Sequence, residues 1–293
     1  MELLLSIVIA NHNYGRFLED ALQSIFLQDM GDKVEIIICD AASTDNSIEV
    51  IKKYEDKIAW WCSEKDGGQS AAFNKGFAHA KGRFLTWLNA DDLLLPGALA
   101  KFNAAVSRHP HGEWFGGGCV QLDPYLKVFK CDRPRKISKL RAKHGLVSVT
   151  GPSSFFAKDL YERVGKVDER FHYMMDTNLW LRFVVIGNAK YIPIPGYLWG
   201  LRLHPDAKMS GHKFLPDGTI LEGAASEAAY MRQTKRLEQL RKEQAWTAEV
   251  LKGEVCPMTK LVRAISASIV PGVMSRFDTW RWRGQSYEML FKR

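Results

Sequence analysis

This chain of 293 residues has little cysteine, and what it has is scattered: Cys39, Cys62, Cys119, Cys131 and Cys256, an odd number with no C-x-x-C pair. That spacing argues against a disulfide framework and a structural zinc, and it suits a reducing compartment. Long apolar runs are missing too; none approaches the roughly 20 residues that cross a bilayer as a helix. Met1 to Ile9 has no basic stretch ahead of its apolar run and no small-residue cleavage site, so it reads as a first strand rather than a signal peptide. Two nucleotide-binding fingerprints are absent as well. No G-x-G-x-x-G follows the first strand, and no G-x-x-x-x-G-K-[ST] occurs anywhere. Most of the case for a dehydrogenase or a P-loop enzyme goes with them.

What the chain does contain is ordinary globular composition, 46% hydrophobic and 25% charged, enough for one large domain with an appendage. Its formal charge of +8 is unevenly placed. Residues 257–293 carry seven basic side chains against Asp278 and Glu288, so this tail alone holds a net of +5 and implies an anionic partner there.

The stretch from Gly82 to Asp92 organises the rest. Phe84 to Leu88 reads as a strand buried on both faces, and it ends in Asn89, Ala90 and two adjacent carboxylates, Asp91 and Asp92. Pro96 suits the first turn of a following helix. Asp91 and Asp92 then belong at the carboxyl end of a buried strand, where open α/β sheets bind ligands. Adjacent carboxylates repel unless a cation or a proton lies between them, and such oxygen ligands suit Mg2+ or Mn2+. An Asp ahead of Leu-Leu-Leu-Pro fits a helix N-cap equally well.

Taken in order, Leu5–Ile9 is a strand, and residues 17–28 form a helix with Phe17, Ala21, Leu22, Ile25 and Phe26 on one face. Val34–Cys39 is a strand ending at Asp40, a helix runs to about Tyr54, and Ile58–Cys62 is a third strand. This alternation predicts parallel strands with right-handed helical crossovers. Gly116 to Gly118, in a strand-like stretch, mark a close backbone approach or a bulge. Met174-Met175-Asp176 opens a helix, 189–194 is a strand, and an apolar stretch from Tyr197 ends in Arg202 and His204. Glu222 to Lys252 reads as a long charged helix with a thin apolar stripe.

The motifs together resemble one family: the inverting family 2 glycosyltransferases of the GT-A fold, closest to bacterial enzymes that build surface polysaccharide. The similar segments are Ser6 to Leu18, Cys39 to Asp45, Asp66 to Gly76, Trp87 to Asp92 and Met175 to Arg182, within residues 5 to 211. The resemblance implies an α/β GT-A domain over residues 1–215, with a mostly parallel central sheet flanked by helices, and a helical extension over 216–293. It implies donor contacts from Ala10, Asn11, Asn13, Asp40, Asp66, Asn74, Asn89, Ala90 and Asp91, with Arg202 and His204 approaching the diphosphate. Asn89, Asp91 and Asp92 occupy the D-x-D-type element, with Asn at the first position, so Asp91 and Asp92 are the anionic metal candidates. Asp176 falls where the family has its base, although Met175 stands where many relatives have Glu. The Gln-x-x-Arg-Trp of processive synthases is absent, which fits one sugar per event. The implied partners are a nucleoside-diphosphate sugar, most often a UDP-sugar in this family, and a glycan or lipid-linked acceptor, with Mn2+ or Mg2+ as cofactor.

The chemistry needs such groups. Breaking the anomeric bond builds negative charge on the diphosphate, which a divalent cation and a guanidinium offset. The acceptor hydroxyl is a poor nucleophile and needs a base, here Asp176. Each residue also has a structural alternative: Asp40, Asp66 and Asn74 fit turn or backbone hydrogen bonding, Asp176 an N-cap, His204 a satisfied buried histidine. Trp87, Trp180 and Trp199 read as core rather than sugar platforms. The tail fits either a helical pair packed on the domain or an interfacial anchor, which would place a cytoplasmic protein peripherally on the inner face of the plasma membrane. A sugar nucleotidyltransferase or a non-catalytic sugar-nucleotide binder are the rival classes; nucleic acid is not an expected partner.

Overall fold

Strands and helices alternate through β1 (Leu5–Asn11), α1 (Gly15–Phe26), β2 (Val34–Asp40), α2 (Ser47–Lys53), β3 (Trp60–Ser63), α3 (Gln69–His79) and β4 (Phe84–Asn89). The computed structural model describes residues 3–134, 136–139, 142, 151–207, 213–214, 220–221, 239, 242–243, 245–246 and 283–286. β1 runs parallel to β2 on one side and to β4 on the other, and β3 runs parallel to β2. The local order is therefore β3-β2-β1-β4, and chain direction around the sheet reverses between β1 and β4. That reversal sends the crossovers to opposite faces and opens a crevice beyond the carboxyl ends of these two strands.

The second half adds β5 (Leu93–Leu94), α4 (Ala98–Arg108), β6 (Trp114–Leu122), β7 (Val128–Asp132), β8 (Ser154–Ala157), α5 (Lys158–Arg163), α6 (Met175–Val185) and β9 (Tyr191–Arg202). Beyond β4 the sheet continues β8-β6-β9-β5, with β7 paired to β6. β8 is antiparallel to both β4 and β6, β9 is parallel to β6, and β5 is antiparallel to β9. A separate antiparallel pair joins Lys213–Phe214 to Ile220–Leu221.

The sheet is buried on both faces, as the unbroken apolar runs of β1, β2 and β4 require. One face packs on Leu18, Leu22 and Ile25 of α1, Val50 and Ile51 of α2, and Leu99 and Phe102 of α4. The other packs on Phe73 and Phe77 of α3 and on Leu179, Trp180 and Phe183 of α6. Trp87 and Trp180 stack with centroids 5.3 Å apart and planes 1° from parallel, so these rings are core, as is the buried Trp199. Burying side chains of this size contributes about 1.5–3 kcal/mol each. A buried carboxylate braces the sheet from below. Glu35 on β2 accepts from Ser6 Oγ on β1 and from the Lys81 and Gly82 amides leading into β4.

The glycines of β6 serve close approach. A Cβ on Gly117 would lie 2.2 Å from Leu198 Cγ, and the β6–β9 register shifts on either side of Gly118. Two local expectations change. Leu93–Leu94 forms a short strand on β9, and the helix begins only at Ala98 after Gly97, whose φ of 72° makes the turn; Pro96 therefore lies before the helix. The stretches at 189–194 and 197–204 are largely one twelve-residue strand, turned at Gly196 with φ 94°.

Cys39, Cys62, Cys119 and Cys131 are free thiols. No helix among the described residues is long and apolar enough to cross a membrane. The domain boundary at 215/216, most of the helix expected over Glu222–Lys252, and the basic tail apart from 283–286 lie outside the described residues.

Candidate active site

The crevice between β1 and β4 is a cleft of about 670 Å3. Its walls come from the end of β1 (Ala10, Asn11, His12, Tyr14), the turn after β2 (Ala41, Ala42), the approach to α3 (Lys65, Asp66, Gly68, Gln69) and the end of β4 (Asn89 to Asp92). Ala72, His172, Leu201 and Ala207 complete the lining. In-register pairing sets its floor, because Ala10 faces Asn89 across β1–β4 and Asn11 faces Asp40 across β1–β2.

At the end of β4 the two carboxylates divide their work. Asp92 is 1% exposed. One of its oxygens accepts from Asn89 Nδ2 at 2.7 Å and the other from the Arg202 amide at 3.1 Å. Burial pushes its carboxyl well above the usual carboxylate range, and the neighbouring charge of Asp91 pushes it further. With one bond on each oxygen, Asp92 braces the β4–β9 junction, while it also stands among the residues that line the cleft. Asn89 also accepts from Gln69 Nε2 at 2.8 Å. A carboxylate at position 89 could take the Gln69 bond but could not donate to Asp92, which accounts for Asn at this position of the motif.

Asp91 lines the cleft, and its Oδ2 lies 3.1 Å from His204 Nε2. His204 is buried, and its Nδ1 has no hydrogen-bond partner among the described residues. Tyr14 packs its ring edge-on to His204 at 5.4 Å and donates its hydroxyl to the Asp206 carbonyl at 2.9 Å. Burial raises the Tyr14 phenol, and the charges of Asp91 and Asp206 raise it further. Arg16 pairs with the Asp206 carboxylate, so the segment after β9 is tied to α1 at two points beside the cleft.

Several other expected site residues make structural hydrogen bonds within the chain. Asp40 is buried at the end of β2, and its oxygens accept four bonds, from Asn11 Nδ2, Ser43 Oγ, the Ser43 amide and Ser63 Oγ, at 2.5–2.9 Å. It caps the turn whose Ala41 and Ala42 line the cleft. Asn13, with φ 56°, clasps the same turn: its amide donates to Ser43 Oγ and its Oδ1 accepts from the Thr44 amide, both at 2.8 Å. Asn74 points to the loop before α6, donating to the Val167 carbonyl and Glu169 and accepting from the Tyr161 hydroxyl. Arg202 turns its guanidinium to Asp20 of α1 at 2.8 Å and over the Phe17 ring at 4.8 Å. Neither Asn74 nor Arg202 lines the cleft.

Asp176 stands in the first turn of α6, half-buried, with Oδ1 accepting from the Thr177 amide. It is not among the cleft-lining residues, but the loop just before it is, through His172. The carbonyl of Phe171 and the sulfur of Met175 both take Ser70 Oγ, which pins the start of α6 to the start of α3. Asp66 lines the cleft and accepts the Gly68 amide at 2.8 Å, shaping the turn into α3. Tyr14 and Gln69 lay inside the motifs read from the sequence without being singled out. His172 and Ala207 carried no local signal.

A divalent cation fits the donor set at the cleft floor. Among the described residues no cluster of three or more His, Cys, Asp or Glu side chains stands ready to enclose one. Asp91 with His204 at its side provides one or two ligands, which suits an ion that completes its shell with phosphate oxygens and water.

The sequence profile of Glycosyl transferase family 2 matches residues 6–165, more than half of the chain. An uncharacterized glycosyltransferase of Nostoc sp. is 41% identical over 101 residues, covering 33% of this chain and 31% of the relative, so the chain spans about a third of that protein's length. The crystal structure of Staphylococcus aureus TarS 1-349 in complex with UDP-GlcNAc superposes with a TM-score of 0.58 at 15% identity, covering 98% of this chain and 83% of that one. Mannosyltransferase PcManGT from Pyrobaculum calidifontis, in complex with GDP-Man and Mn2+, gives 0.57 at 15% identity, covering 99% and 83%. The fold is of the GT-A type shared with these two, and the chain belongs to glycosyl transferase family 2.

Proposed function

We propose that this chain moves one sugar from a nucleoside-diphosphate sugar to a hydroxyl of a glycan or lipid-linked acceptor, with inversion, in the assembly of surface polysaccharide. The observation that carries the reading is Asp91 at the floor of the β1–β4 crevice, partnered by His204 and open to the cleft. The nucleotide lies along the β1 end and the turn after β2, where Asn11 keeps a buried Oδ1 without a partner among the described residues. Asp91, with His204, would hold Mn2+ or Mg2+. When bound, that ion offsets the charge growing on the leaving diphosphate.

Asp176 is the general base. The acceptor oxygen attacks the anomeric carbon as its proton passes to the Asp176 carboxylate, and the carbon–oxygen bond to the diphosphate breaks with its electron pair going to the phosphate oxygen. One displacement inverts the centre and needs no covalent intermediate. The TarS complex contains UDP-GlcNAc and the PcManGT complex GDP-Man; the uridine assigned to this chain rests on the family resemblance, in which UDP-sugars are the most common donors.

The test is a thermal-shift panel of UDP, GDP, CDP and ADP with and without Mn2+. UDP with Mn2+ is expected to stabilise most, by about 2.7 kcal/mol at one hundred times its dissociation constant. Asp176→Asn should bind UDP normally and lose transfer by roughly 10²–10⁴-fold, the usual contribution of a general base. A panel in which no nucleoside diphosphate shifts the melt, or an undiminished Asp176→Asn, overturns the proposal.

A further inference from the structure

One buried carboxylate from the C-terminal part of the chain has no place in the mechanism above. Glu243 is fully buried in helical backbone far beyond β9. Its Oε1 accepts from the His172 amide at 2.8 Å and its Oε2 from the Met174 amide at 2.7 Å, while the Tyr173 amide lies 3.0 Å from Oε2. Gln239, one turn earlier, donates its Nε2 to Oε1 at 2.9 Å. Trp246 packs edge-on against Phe171 at 5.9 Å, and the Arg170 guanidinium lies over the Trp246 ring at 5.6 Å.

The three amides lead directly into α6. A helix start leaves its first N–H groups without internal partners and carries partial positive charge. Position 174, the N-cap of α6, is a methionine with no acceptor, and no side-chain cap is formed there. Glu243 does not replace a capping side chain, which would take first-turn amides; from 69 to 71 residues away its carboxylate holds the N-cap amide of Met174 and the two amides before it, with bonds stronger than neutral ones. The segment it holds has His172 in the cleft wall at one end and Asp176 in the first helical turn at the other.

We infer that Glu243 is a positioning residue for glycosyl transfer: it fixes the backbone of residues 172–174 and thereby the place of Asp176, one turn on from the cleft wall at His172. This rests on the reading of Asp176 as base. Glu243 is accordingly a component of the working site, and donor binding, built mainly on β1 and β4, meets the held segment only at His172.

The experiment compares the full-length chain with Glu243→Ala and Glu243→Gln in a transfer assay, alongside amide hydrogen exchange. Glu243→Ala should lower kcat by about 10- to 100-fold, the scale of a misplacement near 1 Å, while the donor KM moves less than about threefold. Glu243→Gln keeps one acceptor oxygen and should fall between, so it serves if the alanine variant does not fold. Exchange at the His172, Tyr173 and Met174 amides should quicken by at least about tenfold in both variants, since each loses a charge-assisted bond. Unchanged protection at those amides, an intact kcat, or a donor KM that rises in step with the loss of kcat overturns the inference. If the unaltered chain transfers no sugar at all, the base assignment falls, and the exchange data alone decide whether Glu243 holds the segment.

Discussion

His204 Nε2 lies 3.1 Å from Asp91 Oδ2, joining the end of β4 to the segment after β9 across 113 residues of chain. Asp91→Asn preserves shape and removes the charge. The expected result is loss of the Mn2+-dependent part of the UDP thermal shift and a fall in transfer of about 10²-fold or more. His204→Gln should cost about tenfold, as groups that orient a metal ligand commonly do. A Mn2+ titration at saturating UDP separates the two, and an Asp91→Asn protein with an unaltered Mn2+ response would remove the cation from this position.

Asp92 makes stability depend on pH in a direction opposite to that of a salt-bridged carboxylate. Its folded pKa is raised, by burial first and by Asp91 second. The folded state therefore holds a proton that the unfolded chain releases near pH 4. Stability from this group is fully present below that pH and is lost as pH rises toward the folded value. Asp92→Asn cannot ionise, so its melting temperature relative to the unaltered protein should climb steadily from pH 4 upward in the absence of donor. Parallel curves for the two proteins would show that Asp92 is ionised when buried.

Arg202 and Asp20 separate a structural role from a donor role. The Arg202 side chain is 5% exposed and its partner Asp20 is 50% exposed. Arg202→Met should destabilise the fold by no more than about 1 kcal/mol, because half-exposed Asp20 regains water when it loses its partner, while the Arg202 contact with Phe17 goes too. UDP affinity, by contrast, should stay within about twofold, since a mutation away from the ligand leaves its binding energy alone. A collapse of UDP affinity in a stably folded variant would show that the guanidinium swings to the diphosphate.

Gly76 lies in the middle of α3, where helix propensity alone favours Ala by about 1 kcal/mol. A Cβ there would sit 2.4 Å from Val8 Cγ1 and 3.2 Å from Cys39 Sγ. Gly76→Ala should therefore destabilise by about 1–3 kcal/mol, the usual cost of overpacking, and weaken UDP binding as α3 lifts Gln69 off Asn89. Chemical denaturation with and without UDP measures both effects. A gain in stability would mean that α3 can shift without strain.

The parallel half of the sheet was legible because the apolar runs of β1, β2 and β4 and the one-faced helix α1 carry strong local periodicity. Asp91 was legible for the same reason, since it follows an unmistakable buried strand. The division of labour between Asp91 and Asp92 was not, because it depends on Arg202 and His204 arriving from β9. Nor could spacing reveal that Asp40 spends its oxygens on Ser43 and Ser63, since a turn cap and a ligand contact ask for the same residue type at the same strand end. The tie from Glu243 to residues 172–174 bridges about seventy positions and leaves no pattern in either segment.

The clasp between the loops after β1 and β2, where Asn13 holds Ser43 and Thr44 while Asp40 holds Ser43 from beneath, has a kinetic consequence. Both rims are immobilised before any nucleotide arrives, so little ordering remains to oppose capture. Association on that side should then proceed in a single exponential phase whose rate grows linearly with nucleotide concentration, with no plateau from a slow rearrangement.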